Sequence, residues 1–537
     1  MNLASPKCFA RAVRPLVLTL CAIALACCSP GPPKGEYLNR GNGGEPRSLD
    51  PHFVNGQWEA NIAGDLMMGL ATEDAAGNPI PGAATRWSVS PDGRTWTFRI
   101  RKHLWSDGVP VTAQDFAFAW RRLLNPKTAA PYAYNMWIVK NAHDINAGKL
   151  PVGALGVATP DDRTLVVTLE HPAAYLPQLL MHQTAFAIPR HTYLKFGNAW
   201  ARVENYVSNG AYMVQEWVPN DHVTLVKNPF FYDAAHVRID TVTYYDTSDA
   251  QGALIRFRGR QLDVQYPYPA AAIDWMRAHI PHAIRSVPYL GVDYLALNMT
   301  RAPFKDRRMR EAISLAYNRE AIALKVRRIG ERPAYNMTPP GIANYPGGAT
   351  SDFKAMPYPA RIARARALMQ AMGYGPQHRF HLVYATSTNP DQRRVAAAVQ
   401  QMLAQIYIDM TISSVEIGQH LQRLQQHDFD IANASWIADF DDASNFLDLL
   451  RSDADNNYGG YDNPAYDAVM NRAQQTADLK ERGALMEKAE QMALDDYAWV
   501  PCYFMVTQEI VQPWVKGWIP NLRDFNRTRW LSVEGRP

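Results

Sequence analysis

Residues 95–126, TWTFRIRKHLWSDGVPVTAQDFAFAWRRLLNP, constrain the fold more than any other stretch, because two structural periods meet in it. Trp96, Phe98 and Ile100 alternate with Thr97, Arg99 and Arg101, the period of a strand buried on one face. Ser106, Asp107 and Gly108 interrupt that period with turn chemistry. Thr112 then stands where a helix N-cap is needed, with Asp115 three residues on as its capping-box acid and Val111 and Phe116 as the hydrophobic staple. Phe116, Trp120 and Leu123 fall on one face of the helix that follows. The residues therefore specify a strand, a turn and a capped helix in succession.

The same reading along the chain finds strand-like runs at 164–169, 223–226, 239–245, 294–297 and 381–384. Helical periodicity covers 309–326, 360–372, 393–406 and 465–494. Strands and helices alternate without repeats, which predicts an α/β or mixed α+β fold. At 537 residues the chain exceeds what one core can organise, so at least two domains are expected.

The amino terminus points to export. Lys7, Arg11 and Arg14 precede an apolar run at 16–26, which is of signal-peptide length and too short to remain as a membrane span. It ends in Ala24-Leu25-Ala26-Cys27-Cys28, a lipobox-like string in which Cys27, preceded by a small alanine, is the better lipidation candidate than Cys28; ordinary cleavage after Ala26 is the alternative. A proline-rich tether at 27–35 would follow. Removing residues 1–26, which carry three bases and no acids, lowers the formal net charge from +4 to +1, so nothing argues for a nucleic-acid partner. Only Cys502 lies in the folded body, which leaves no disulfide pair there.

No G-x-S-x-G, H-E-x-x-H, Walker, G-x-G-x-x-G or C-x-x-C string occurs, so no catalytic centre, cofactor or metal is expected. His420 and His427, seven apart on an expected helix, are poor metal partners. Asp442 reads as the N-cap of a helix starting near Ala443.

Six strings in register carry a resemblance. The 95–126 segment is joined by GNGGEPRSLDPH (41–52), NGAYMVQEW (209–217), LVKNPFFYD (225–233), ALNMTRAPFKDRRMREAISLAYNREAI (296–322) and WIADFDDASNFL (436–447). Together they resemble the peptide-binding, family 5 solute-binding proteins of bacterial ABC importers. The resemblance implies a two-lobed, hinged fold of the periplasmic-binding type with an extra inserted domain. It divides the chain into a discontinuous first domain (36–67, 190–290 and 507–537), an inserted domain (68–189) and an opposing lobe (291–506). It implies a monomeric receptor, lipid-anchored in the periplasm, that carries an oligopeptide to a membrane permease.

A receptor for varied peptides must read what all peptides share, the backbone amides and the charged ends. The resemblance places the amine's partner at Asp439, in Trp436-Ile437-Ala438-Asp439; a solvated turn acid is the competing reading. It assigns backbone pairing to Ser435, Trp436 and Ile437 on one side and to Asn55, Gly56 and Gln57 across the cleft. Tyr132 and Tyr289 match cleft tyrosines, with core packing as the alternative. At the ligand's carboxyl end the chain departs from its relatives. Arg327 keeps a positive charge, whereas Asn433 is neutral and Asp391 acidic where the family has cations. The family's two disulfide cysteines match Gly291 and Ile437, and a cleft tryptophan matches Ile417. A cell-wall peptide, a metal chelate, haem or a modified peptide is the alternative ligand, and a secreted lipoprotein hydrolase a remote alternative function.

Overall fold

The capped-helix segment folds as its residues dictate. The Thr95–Ile100 strand buries Trp96, Phe98 and Ile100, and Gly108 supplies the left-handed turn at φ 86°. Asp115 Oδ2 then accepts hydrogen bonds from the Thr112 amide at 2.8 Å and its hydroxyl at 3.0 Å. The Ala113–Leu124 helix buries Phe116, Trp120 and Leu123, and Trp120 Nε1 donates to the Ala185 carbonyl at 3.0 Å.

The computed structural model describes residues 35–537, so the leader, Cys27, Cys28 and the tether up to residue 34 lie outside the described residues. Three larger sheets organise the described chain. A seven-stranded sheet runs in the order Ile284–Arg285, Glu509–Val511, Val264–Tyr266, Tyr37–Asn42, Thr241–Tyr245, His222–Lys227, Tyr212–Val218. The four-stranded sheet Ala84–Val89, Thr95–Ile100, Thr164–Thr168, Val157–Asp161 shares one continuous apolar core with it, so the two form a single lobe. The third sheet, six-stranded, runs Arg332–Pro333, Trp499–Val506, Pro288–Leu297, Ile431–Ile437, Phe380–Ser387, Ile408–Val415 and packs apolar clusters of its own, making the second lobe. The chain passes between lobes on two adjacent segments, joined where the Thr507 amide donates to the Val287 carbonyl at 2.9 Å.

Two long helical patterns prove to be interrupted. The 309–326 pattern stops after the Arg307–Ala316 helix. Asn318 Oδ1 accepts the Ala321 amide at 2.9 Å and caps a fresh start at Arg319–Ala321, which continues as a π-helical turn at Ile322–Arg327. The 465–494 pattern splits into the Pro464–Gln475 and Leu479–Asp495 helices, because Asp478 accepts the Glu481 amide at 2.8 Å and caps the second. A side chain that bonds local backbone ends one helix and begins another without disturbing the apolar period.

Candidate ligand-binding cleft

The site begins with a strand whose edge is half free. Ile431–Ile437 pairs with Pro288–Leu297 over its full length, from Leu297↔Ile431 to Gly291↔Ile437. On its other side it meets Phe380–Ser387 only at Tyr384↔Ile431 and Ala385↔Ala432. Past Ala432 the two strands diverge, so one edge of Asn433–Ile437 has no strand neighbour, and Ser435 and Ile437 are exposed. A cavity of about 900 Å³ opens along this edge and is closed on its far side by the first lobe.

Seven of the twelve predicted site residues line that cavity: Asn55, Tyr132, Asn433, Ser435, Trp436, Ile437 and Asp439. Gly56, Gln57, Tyr289, Arg327 and Asp391 do not. Trp58, Tyr134, Gln392, Glu416, His420 and Tyr458 line it without having been singled out as ligand residues. Trp58, Tyr134 and Gln392 adjoin the predicted Gln57, Tyr132 and Asp391 on the same helices and turns, whereas Glu416, His420 and Tyr458 had no such neighbour.

Asp439 sits where the free edge ends. Its amide donates to Asn445 Oδ1 at 3.1 Å, and its carbonyl accepts Arg523 Nη2 at 2.5 Å. His182 Nε2 stands 3.5 Å from Oδ1. Burial, with the nearby Arg523 and Arg527 guanidiniums, pushes His182 down to about 3, so this histidine is neutral at physiological pH. Burial pushes the Asp439 carboxyl up to about 6, opposed by Arg523 and by the polar side chains of Asn445, Asn135 and Tyr134. Its Oδ2 is buried and accepts no hydrogen bond. An unpartnered buried carboxylate oxygen is costly unless a donor is delivered to it.

Across the cleft, Glu59 Oε2 accepts the Asn55 and Gly56 amides at 2.7 and 2.9 Å. The Gly56 carbonyl takes the Ala60 amide at 3.0 Å. The Asn55 and Gly56 N–H groups are thus committed to the start of the Gln57–Leu66 helix, and the Gln57 side chain donates to Asn61. Tyr289 is buried and does not line this cavity; Asp524, Glu509 and Arg523 lie near it.

The carboxyl-end residues also differ from expectation. Arg327 gives Nε to Glu331 at 2.8 Å and Nη1 to Asp391 at 3.1 Å, so two carboxylates hold the one guanidinium. Asp391 is not an isolated repulsive charge, since it also pairs with Arg394 at 2.6 Å. Asn433 Nδ2 donates to both oxygens of the buried Asp293, at 3.2 and 3.0 Å. Gly291 and Ile437, matched to the family's cysteines, are direct cross-strand partners. Asp442 Oδ1 accepts the Ser444 amide at 3.0 Å, as a cap does, while the carboxylate also takes Arg482 at 2.6 and 2.8 Å. His420 lies on the Ile417–Gln425 helix and His427 beyond its end, each bonded to a different carbonyl, which separates them as metal ligands.

Comparison with known proteins gives this geometry its context. The chain is 36% identical over 493 residues to the periplasmic oligopeptide-binding protein OppA of Salmonella typhimurium, covering 90% of each chain. It is 34% identical over 506 residues to YgiS of Escherichia coli, named as a probable deoxycholate-binding periplasmic protein, covering 93% of this chain and 94% of that one. The crystal structure of Haemophilus influenzae OppA in complex with RPPGFSPFR superposes with a TM-score of 0.86 at 33% identity, covering 94% of this chain and all of that chain. Residues 78–458 match the model described as "Bacterial extracellular solute-binding proteins, family 5 Middle". With its two-lobed fold and interlobe cleft, the chain belongs to the family 5 bacterial extracellular solute-binding proteins, which are transport binding proteins.

Proposed function

We propose that this protein captures extended oligopeptides between its lobes and delivers them to the membrane permease of an ABC importer. The observation that carries the reading is Asp439 Oδ2, an acceptor without a donor at the end of a strand edge without a neighbour. A peptide lying along Asn433–Ile437 adds itself as a strand, with backbone hydrogen bonds supplying affinity independent of side chains. Its ammonium then meets Asp439 in a site from which closure has excluded water. In this scheme residues 36–67, 190–290 and 507–537 with the inserted 68–189 form one jaw, and 291–506 the other.

The test is calorimetry with free and N-acetylated peptides against wild type and Asp439→Ala. Breaking a buried charge pair costs about 3–5 kcal/mol. Acetylation or Asp439→Ala should each therefore weaken binding by about two to three and a half decades. Equal affinities for free and acetylated peptides would remove Asp439 from this role.

The oligopeptide-binding relatives and the lipobox-like string support a periplasmic receptor held to the membrane through lipid on Cys27. Stable anchoring takes more than one acyl chain. Cys27→Ser should move the protein from the detergent phase to the aqueous phase; unchanged partitioning with Cys28 intact would reassign the site. A second reading, an anionic amphiphile, follows from the name of the deoxycholate-binding relative. The lack of any lysine or arginine in the cavity lining opposes it.

A further inference from the structure

The residues lining the 900 Å³ cavity include two carboxylates, Asp439 and Glu416, and neither lysine nor arginine. The one cation that the family resemblance places near the ligand's far end, Arg327, lies outside the lining and is bound by Glu331 and Asp391. The unpartnered polar atoms show the same bias. Gln392 Oε1, His420 Nδ1 and Asp439 Oδ2 are buried acceptors without donors, whereas Trp58 Nε1 is the unpartnered donor among these lining side chains. His420 gives Nε2–H to the Asn433 carbonyl at 2.8 Å, which leaves Nδ1 as an acceptor. Burial lowers its pKa, so it brings no positive charge. Gln392 uses its amide on Asp293 at 3.2 Å, which points its carbonyl oxygen elsewhere.

We propose that Glu416, lining the same cavity as Gln392 and His420, is a second recognition point that takes a cationic side chain of the ligand, and that the ligand's terminal carboxylate contributes nothing to affinity. This rests on the peptide reading above and names the class of peptide. Glu416 follows the Ile408–Val415 strand, whose Val415 is level with Ser387 two strands across from Ile431–Ile437. Strand spacing of ~4.8 Å and a rise of ~3.3 Å per residue put Glu416 at least roughly 15 Å from Asp439, the spacing widening where Ile431–Ile437 leaves Phe380–Ser387. A peptide whose amine sits at Asp439 and whose chain runs back over Ser435 is antiparallel to Ile431–Ile437. It brings the side chain of about its third to fifth residue toward Glu416. A lysine or arginine there supplies donors where the wall offers acceptors. A carboxylate there meets like charge, and a deoxycholate anion finds no counter-ion.

The experiment is a calorimetric series of alanine-based hexapeptides with one lysine, norleucine or glutamate at each of positions 2 to 6. Each is made as acid and amide and titrated against wild type, Glu416→Gln and Glu416→Lys; deoxycholate is a separate ligand. Glu416→Gln keeps an oxygen for the Gly418 amide that Glu416 now caps at 2.7 Å, so the helix start survives. Glu416 is exposed, so lysine at one of positions 3 to 5 should bind about twofold to fivefold tighter than norleucine, the range of an exposed charge pair. Glu416→Gln should erase that gain, Glu416→Lys should turn it into a preference for glutamate, and acids should bind no tighter than amides. Lysine and norleucine binding alike at every position, or a lysine gain untouched by Glu416→Gln, overturns the inference while leaving the dependence on a free amine intact. If no peptide binds and deoxycholate does, the peptide reading falls and this inference with it.

Discussion

Asp439 holds its proton to about pH 6 because burial withdraws the water that would stabilise its charge. In the binding mode proposed above a peptide ammonium pairs with the ionised carboxylate, so binding favours loss of that proton. Affinity should be full above the carboxyl's pKa and fall as pH drops below it, since the fold must then give up a bound proton to accept the ligand. One pH unit below the midpoint about a tenth of the carboxyl is ionised. The dissociation constant for a free-amine peptide should therefore rise about tenfold between pH 7.5 and pH 5. His182, already neutral, adds no opposing titration in that range. Calorimetry across this range checks the slope, and Asp439→Asn should flatten it; a wild-type profile that is flat would detach the pH response from this carboxyl.

Elements of the fold were legible wherever near neighbours decide them. The Thr112–Asp115 cap, the alternation in Thr95–Ile100 and the strand at Phe380–Ser387 follow from hydrogen bonding and burial within a few residues. The errors arose where apolar periodicity ran on across a break. Asn318 and Asp478 cap new helices inside patterns that read as continuous, because a capping side chain costs no apolar position. The same limit applied to the site. The string around Asp439 marked the residue, but the free edge beside it exists only because Phe380–Ser387 leaves Ile431–Ile437 after two pairs.

At the scale of the whole molecule, the lobes touch through side chains that flank Asp439 without lining the 900 Å³ cavity. Tyr175 stacks on Phe440 at a centroid distance of 4.6 Å and 7° between ring planes, one ring packed on the first lobe's core and the other beside Asp439. Arg482, paired to Asp442, lies over the Tyr175 ring at 5.5 Å. A stacked aromatic pair is worth about 0.5–1.5 kcal/mol beyond its buried area. Removing it raises the cost of closure, and the apparent affinity falls by the lost fraction of closed molecules. Tyr175→Ala should weaken every peptide by roughly threefold to tenfold and leave the ratio between free and acetylated peptides unchanged. Small-angle scattering should show the same ligand-induced contraction at higher ligand concentration. A change in the acetylation ratio would instead place Tyr175 at the ligand.

By itself the sequence determined the local elements, the mixed α/β class and the family, since these rest on short-range periodicity and on strings that survive in order. The tertiary structure decided which charges are available. Arg327 reads as a free cation until Glu331 and Asp391 are found upon it, the second from 64 residues away. Asn433 reads as a neutral substitution until Asp293, 140 residues distant, takes its amide. Electrostatics inside a cleft depend on through-space distance and on burial, and neither is carried by the spacing of residues along the chain.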